Sequence, residues 1–140
     1  MRRELEEDLA QKHPFMRRRA SLKEQVKQGV IGDLYSAFGC ECGDGWHGLL
    51  DSLCYEIERI CEEAGIPCRL HVTQVKQKFG SLRFYATLTG PKDLSDKVSE
   101  VIQEAVDASE HICEECGRPG KLRHDAWVRT LCDDCHAKDL

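Results

Sequence analysis

From Trp46 onward the apolar residues fall at steps of three and four: Trp46, Leu49, Leu50, Leu53, Cys54, Ile57, Ile60, Cys61 and Ala64. That spacing lays one apolar stripe along a helix. Gly65 and Pro67 predict its end, and Asp44 just before the stripe has the short acceptor side chain of an N-cap. The period then changes. Leu82, Phe84, Ala86 and Leu88 alternate with Arg83, Tyr85, Thr87 and Thr89, which predicts a strand buried on one face. Arg69 to Lys78 reads as its partner, with Leu70 and Val72 on one face and His71, Thr73 and Val75 on the other. Gly80 between the two runs can supply a positive φ for a tight turn, so an antiparallel hairpin is expected. Gly90-Pro91 breaks the second strand. A second helix is predicted from about 91 to 111, with Leu94, Val98, Val101, Ile102, Ala105 and Ser109 turned inward. A lone hairpin is marginal in water, and these two helices can cover one of its faces.

Ahead of Trp46 the pattern is weaker. Leu5 and Leu9 in a field of alternating charge predict a short amphipathic helix that Pro14 ends. Arg17-Arg18-Arg19, with Lys23 and Lys27 against Glu24, reads as a solvated face or mobile segment, or as a basic arm for an acidic partner. Residues 30–45, rich in glycine, read as loop. The expected fold class is α+β. A charged helix and arm fill 1–29, and two long amphipathic helices pack on an antiparallel β-hairpin in a core over 30–111. A zinc-binding module, treble-clef-like, fills 112–140.

Nine cysteines in 140 residues are the compositional outlier. Residues 1–9 are charged and lack the apolar stretch of a secretory signal. The odd count therefore points to metal ligation and buried thiols in a reducing, cytoplasmic setting, and away from a disulfide framework. No uncharged apolar run approaches the ~18 residues of a membrane span, so no membrane association is expected. Cys113-x2-Cys116 and Cys132-x2-Cys135, fifteen residues apart, have the spacing of a four-thiolate zinc site. Two residues between cysteines let one tight turn aim both sulfurs at one ion, and Gly117 can take the left-handed conformation that such a knuckle needs. The spacer from Gly117 to Leu131 is long enough for a short hairpin, with Val128, Thr130 and Leu131 in its second strand and Trp127 as a packing residue. Four thiolates would close the Zn2+ shell, making the ion structural.

The remaining candidate ligands are less well spaced. His111, His124 and His136 lie near the four cysteines; His136, beside Cys135, is the best substitute ligand, but each reads first as a surface histidine or one that supports the ligands from outside. Cys54 and Cys61, seven apart on the stripe, read as small core residues. Cys40-Glu-Cys42, with His47 or Cys68, is a weaker second metal site or a reactive thiol near the start of the Trp46 helix.

Three motifs coincide: Gly39-Cys-Glu-Cys-Gly-Asp-Gly-Trp46, Val75-Lys-Gln-Lys-Phe-Gly-Ser-Leu-Arg-Phe-Tyr85, and the paired cysteines of the tail. Together, over about residues 39–135, they resemble a family of small proteins found in bacteriophage and mobile-element genomes. The resemblance implies a mobile-element origin and the cytoplasm of a bacterial host, and it implies no activity. The segment from Leu131 to Lys138 is also similar to the closing part of HNH-type nucleases, which join a treble-clef zinc site to a catalytic metal motif. His124-Asp125 and His136 would supply the base and a metal-binding histidine there. The chain departs from that pattern because it contains no asparagine and its fifteen-residue spacer is short for the insert.

A net charge of −5 argues against general binding to nucleic acid or membrane surfaces. Its distribution is more informative. Seven acids face one Arg59 between Glu41 and Glu63, whereas the hairpin carries Arg69, Lys76, Lys78 and Arg83. Such polarity suits electrostatic steering to a partner. The leading expectation is a non-enzymatic zinc-binding protein acting by protein–protein binding on a host protein or complex, with inhibition of a host defence complex as its specific form. Asp44, Trp46, Lys76, Lys78, Arg83 and Tyr85 are its candidate contact residues. A nucleic-acid-binding zinc-module regulator is the second expectation, and a degenerate HNH-like nuclease the third. No catalytic or cofactor-binding residue is assigned, because no serine–histidine pair, phosphate loop or carboxylate pair is evident.

Overall fold

The computed structural model describes residues 1–139. In chain order these form helices α1 (Arg3–Lys12), α2 (Leu22–Lys27) and α3 (Leu34–Phe38), strand β1 (Cys40–Glu41) and helix α4 (His47–Glu63). Strands β2 (Leu70–Lys78) and β3 (Ser81–Leu88), helix α5 (Lys92–Ser109), strands β4 (Lys121–His124) and β5 (Val128–Leu131), and helix α6 (Asp133–Asp139) complete the described chain. Single 3-10 turns cover Pro14–Met16 and Asp44–Trp46. The class is mixed α+β, and no described helix is long and apolar enough to cross a membrane.

The α4 stripe buries Leu50, Leu53, Cys54, Ile57 and Cys61, and α5 buries Leu94, Val98, Ala105 and Ser109. The apolar members of both sets join one core cluster with Leu70, Val72, Val75, Leu82, Phe84 and Leu88 of the sheet. Ser109 ends α5 with a side chain small enough to approach β3, where its hydroxyl accepts from the Leu82 N–H at 2.9 Å. The sheet order is β1-β2-β3, with β1 parallel to β2 and β2 antiparallel to β3. Phe79 and Gly80 connect β2 to β3, and both have positive φ, at 54° and 79°. Two such residues in a row match the twist of a tight hairpin. For a residue as bulky as Phe79 that conformation is strained.

Several sequence expectations are corrected here. Val75 is fully buried, on the face opposite to the one expected. A register shift between Val72 and Gln74 inserts Thr73 as an extra residue, and one added residue exchanges the faces of everything after it. Residues 30–45 hold α3 and β1 in place of a plain loop. Asp33 caps α3 by accepting from the Ser36 N–H. Asp44 does not cap α4: it lies in the 3-10 turn ahead of the helix and accepts from the Arg2 backbone N–H and Nε at 2.7 and 2.6 Å.

The N-terminal third is built into the core and is not a free arm. Leu9 and Met16 are buried in the main cluster. Arg18 donates to the carbonyls of Ser36 and Ala37, and Arg19 to Asp33 and to the carbonyl of Val72. These two arginines tie the segment to α3 and β2. Buried His13 faces α4, with Nε2 2.7 Å from Asp51 and Nδ1 on Glu58.

Candidate metal centre

Beyond α5 the chain closes a tight knuckle. The Cys113 N–H donates to the Arg118 carbonyl at 2.7 Å, and the Gly117 N–H to the Cys113 carbonyl at 2.9 Å. Gly117 has φ 80°, as the knuckle requires. The hairpin β4–β5 pairs Lys121 with Leu131 and His124 with Val128, which returns the chain to the knuckle. There the Glu114 N–H donates to the Thr130 carbonyl at 2.9 Å. Cys132 follows β5 directly, and Cys135 lies in α6.

This path brings the four cysteine sulfurs within 4.8 Å of one another. The Sγ atoms of Cys116 and Cys132 are 3.7 Å apart. A tetrahedron with metal–sulfur bonds of ~2.3 Å has edges of about 3.8 Å, so Cys113, Cys116, Cys132 and Cys135 can hold a metal ion. Among the described residues they are the one group of three or more such donors. Arg118, which sequence reasoning missed, places Nε 3.3 Å from Cys116 Sγ and Nη2 3.6 Å from Cys132 Sγ. Its hydrogen bonds bring the Cys116 thiol down to about 6. The Cys135 backbone N–H is the main cause lowering Cys132. Cys135 itself is pushed up to about 12, first by its hydrogen bond with Cys132 and then by burial.

The knuckle is seated on the core through the conspicuous sequence motifs. The Gly45 N–H donates to the Glu114 carbonyl at 2.7 Å, and the Gly43 N–H to Glu114 Oε2 at 2.9 Å. A Cβ on Gly43 would stand 2.3 Å from the Glu114 carbonyl oxygen, and one on Gly45 would stand 2.2 Å from that of Cys113. No side chain fits at either position. Trp46 Nε1 donates to the Ile112 carbonyl at 2.9 Å. On the other side, Thr130 Oγ1 donates to the Gly80 carbonyl at 2.6 Å, and a Cβ on Gly80 would meet Leu122 Cδ2 at 2.6 Å. Glu114 is buried, and desolvation raises its pKa although Arg129 nearby opposes the shift.

The other candidates distribute differently. Trp46 is fully buried, so it is a core residue and offers no contact surface. Trp127, expected to pack, is 80 % exposed at the tip of the β4–β5 hairpin. Cys40 and Cys42 do not join His47 or Cys68 in a second donor group. Burial raises both thiols, Cys42 to about 12, and His47 Nε2 is taken by Asp8 at 2.8 Å. His136 is not drawn into the cysteine group: its Nε2 lies 2.7 Å from Asp125. His111 and His124 are exposed. Lys76, Lys78, Arg83 and Tyr85 do come together, on the sheet face opposite the one that packs on α4 and α5, with Lys76 and Arg83 half-buried there. Lys76 stands opposite Arg83, with Lys78 and Tyr85 next along the same pair of strands. Among the described residues none of these three cations has an acid within ion-pairing distance.

Comparison with family models, curated proteins and solved structures returned no match.

Proposed function

We propose that this is a non-catalytic binding protein whose tail is held by a structural Zn2+ and whose sheet face opposite α4 and α5 takes an anionic macromolecular partner. The observation that carries the reading is the direct pairing of Lys76 with Arg83 on that face. Like charges directly opposite each other in an antiparallel sheet are destabilising, and among the described residues no acid lies within ion-pairing distance of either. Glu41, the register partner of Lys76 on β1, offsets that repulsion only in part, and an anionic partner accounts for the rest.

For the tail, an all-thiolate donor set favours zinc over the hard cations, and four protein ligands leave no open position for a reacting water. The order of knuckle, hairpin and helix supports a treble-clef-like module. The close Gly43, Gly45, Trp46 and Gly80 contacts support a structural role for the resembling motifs. The mobile-element resemblance makes a component of the bacterial host cell the natural source of the partner.

Two measurements test the reading. Native mass spectrometry should find one zinc per chain, and Cys113→Ser should lose it. On heparin resin at low salt the protein should be retained, and Lys76→Glu with Arg83→Glu should abolish retention without altering the far-UV circular dichroism. Equal retention of the wild type and the charge-reversed protein would refute the anionic partner.

A further inference from the structure

We infer that the partner of this face is a single-stranded nucleic acid, its bases stacked on Tyr85 and Phe79 and its phosphates held by Arg83, Lys76 and Lys78. The inference rests on the binding reading above and names the partner class.

The register sets the spacing. Tyr85, Arg83 and Ser81 follow one another along one face of β3, and Gln74, Lys76 and Lys78 do so along β2. Same-face neighbours on a strand are about 6.6 Å apart, close to the step between successive phosphates of an extended single strand. The cations therefore form a short track that begins beside Tyr85 and ends at the Phe79 turn. Glu41 borders the track on the β1 side and would repel a phosphate straying from β2 and β3.

Exposed aromatics separate this partner from an acidic protein surface. Tyr85 is 49 % exposed and Phe79 67 % exposed. Phe79 also sits at φ 54°, a strained conformation for a bulky residue whose ring gains little burial in return. Lys78 Nζ lies over that ring, 5.7 Å from its centre, so a base would stack on the opposite face with the cation behind the ring. Trp127 adds a third exposed ring, two residues from Arg129, whose backbone adjoins Gly80. Cations alone suffice for an acidic protein patch. Open ring faces beside cations suit unpaired bases, which present their own faces, whereas a duplex hides them.

The net charge of −5 does not oppose this. Glu56, Glu58, Glu62 and Glu63 belong to α4, which packs on the covered side of the sheet. Screening limits their reach to about 8–10 Å at ordinary ionic strength.

The test is fluorescence anisotropy with labelled oligo(dT) and oligo(U) of about 12 nucleotides, inside the usual range of single-strand site sizes. A hairpin duplex and polyglutamate serve as the other probes. Binding should be to the single strands and should weaken with salt at a slope near −2 in log K against log salt, as about three neutralised phosphates imply. Tyr85→Ala should lose roughly tenfold in affinity, with Tyr85→Phe close to wild type. The single strand should also quench Trp127 emission, separated from that of buried Trp46 with Trp127→Phe. Charge-sensitive binding to polyglutamate with none to oligonucleotides would overturn the single-strand assignment and leave the anionic-partner reading standing. Equal affinity for duplex and single strand, unmoved by Tyr85→Ala, would overturn the stacking. Binding to none of the probes would end both.

Discussion

Asp33 gathers hydrogen bonds from the Ser36 N–H and hydroxyl, both at 2.9 Å, and from Arg19 Nε and Nη2 at 3.0 and 2.8 Å. Partial burial opposes its ionisation, but the Ser36 bonds and the Arg19 guanidinium outweigh it and hold the carboxyl below its usual range. A depressed carboxyl pKa contributes stability above the unfolded value of about 3.9, and that stability is lost as the pH falls through the folded value. Asp33→Asn keeps a capping oxygen but loses the charge that Arg19 pairs with, so it should lower stability by about 0.5–1 kcal/mol at pH 7, the scale of a partly exposed ion pair. The gap between the two proteins should narrow below about pH 4. Urea melts at pH 7 and pH 3 check this, and a gap of the same size at both would assign the effect to shape and not to charge. In the sequence, Asp33 followed by Ser36 is a legible cap, but the surrounding glycines hid it. Trp127 misled for a different reason. A tryptophan in a short hairpin suggests packing, yet β4–β5 is a two-stranded sheet whose own buried cluster, among the described residues, consists of Cys113, Leu131 and Cys132.

Elements with a sustained period were the readable ones. The three-and-four stripe of α4, the alternation in β3 and the inward face of α5 each repeat enough times for burial to follow from spacing alone. A single inserted residue defeats that logic, as Thr73 does in β2. The two-residue strand β1 is too short to have a period at all. The glycine motif carries a signal of another kind, because only a partner segment explains it. Gly45 faces the Cys113 carbonyl and the Gly117 N–H at distances no Cβ tolerates. Gly45→Ala should destabilise the protein by about 1–3 kcal/mol, in the range of overpacking substitutions. Gly48 makes a useful contrast. It lies inside α4, where an added Cβ would meet nothing within 4 Å, so Gly48→Ala should stabilise by about 0.5–1 kcal/mol through helix propensity. Thermal melts of the pair should move in opposite directions. If Gly45→Ala melts with the wild type, the seat of the knuckle is softer than the contacts imply.

At the scale of the whole molecule two unequal cores share one chain. The larger runs from Leu9 to Ala105, and the smaller holds three buried residues with Cys135 packed against them. A cluster that small cannot order thirty residues, whereas a four-thiolate zinc site contributes on the order of 10 kcal/mol in isolated peptides. That is comparable to the entire stability of a domain. If the four cysteines hold zinc as proposed, removing it should therefore release the tail and leave the large core folded. The contacts say how far the loss travels. The Gly45 N–H bonds to Glu114 and the Gly80 carbonyl accepts from Thr130, so both seats lose their partners when the knuckle opens. Hydrogen exchange with chelator should show protection lost across β4 and β5 and at Gly45, with the amides of Leu50 to Cys61 still slow. The turn carrying Phe79 would loosen with Gly80, so chelation should also weaken the oligonucleotide affinity without touching Lys76, Arg83 or Tyr85. Uniform loss of protection through α4 and α5 would instead mean that the two cores unfold as one cooperative unit. Unchanged exchange in the tail would mean that its fold does not depend on the ion.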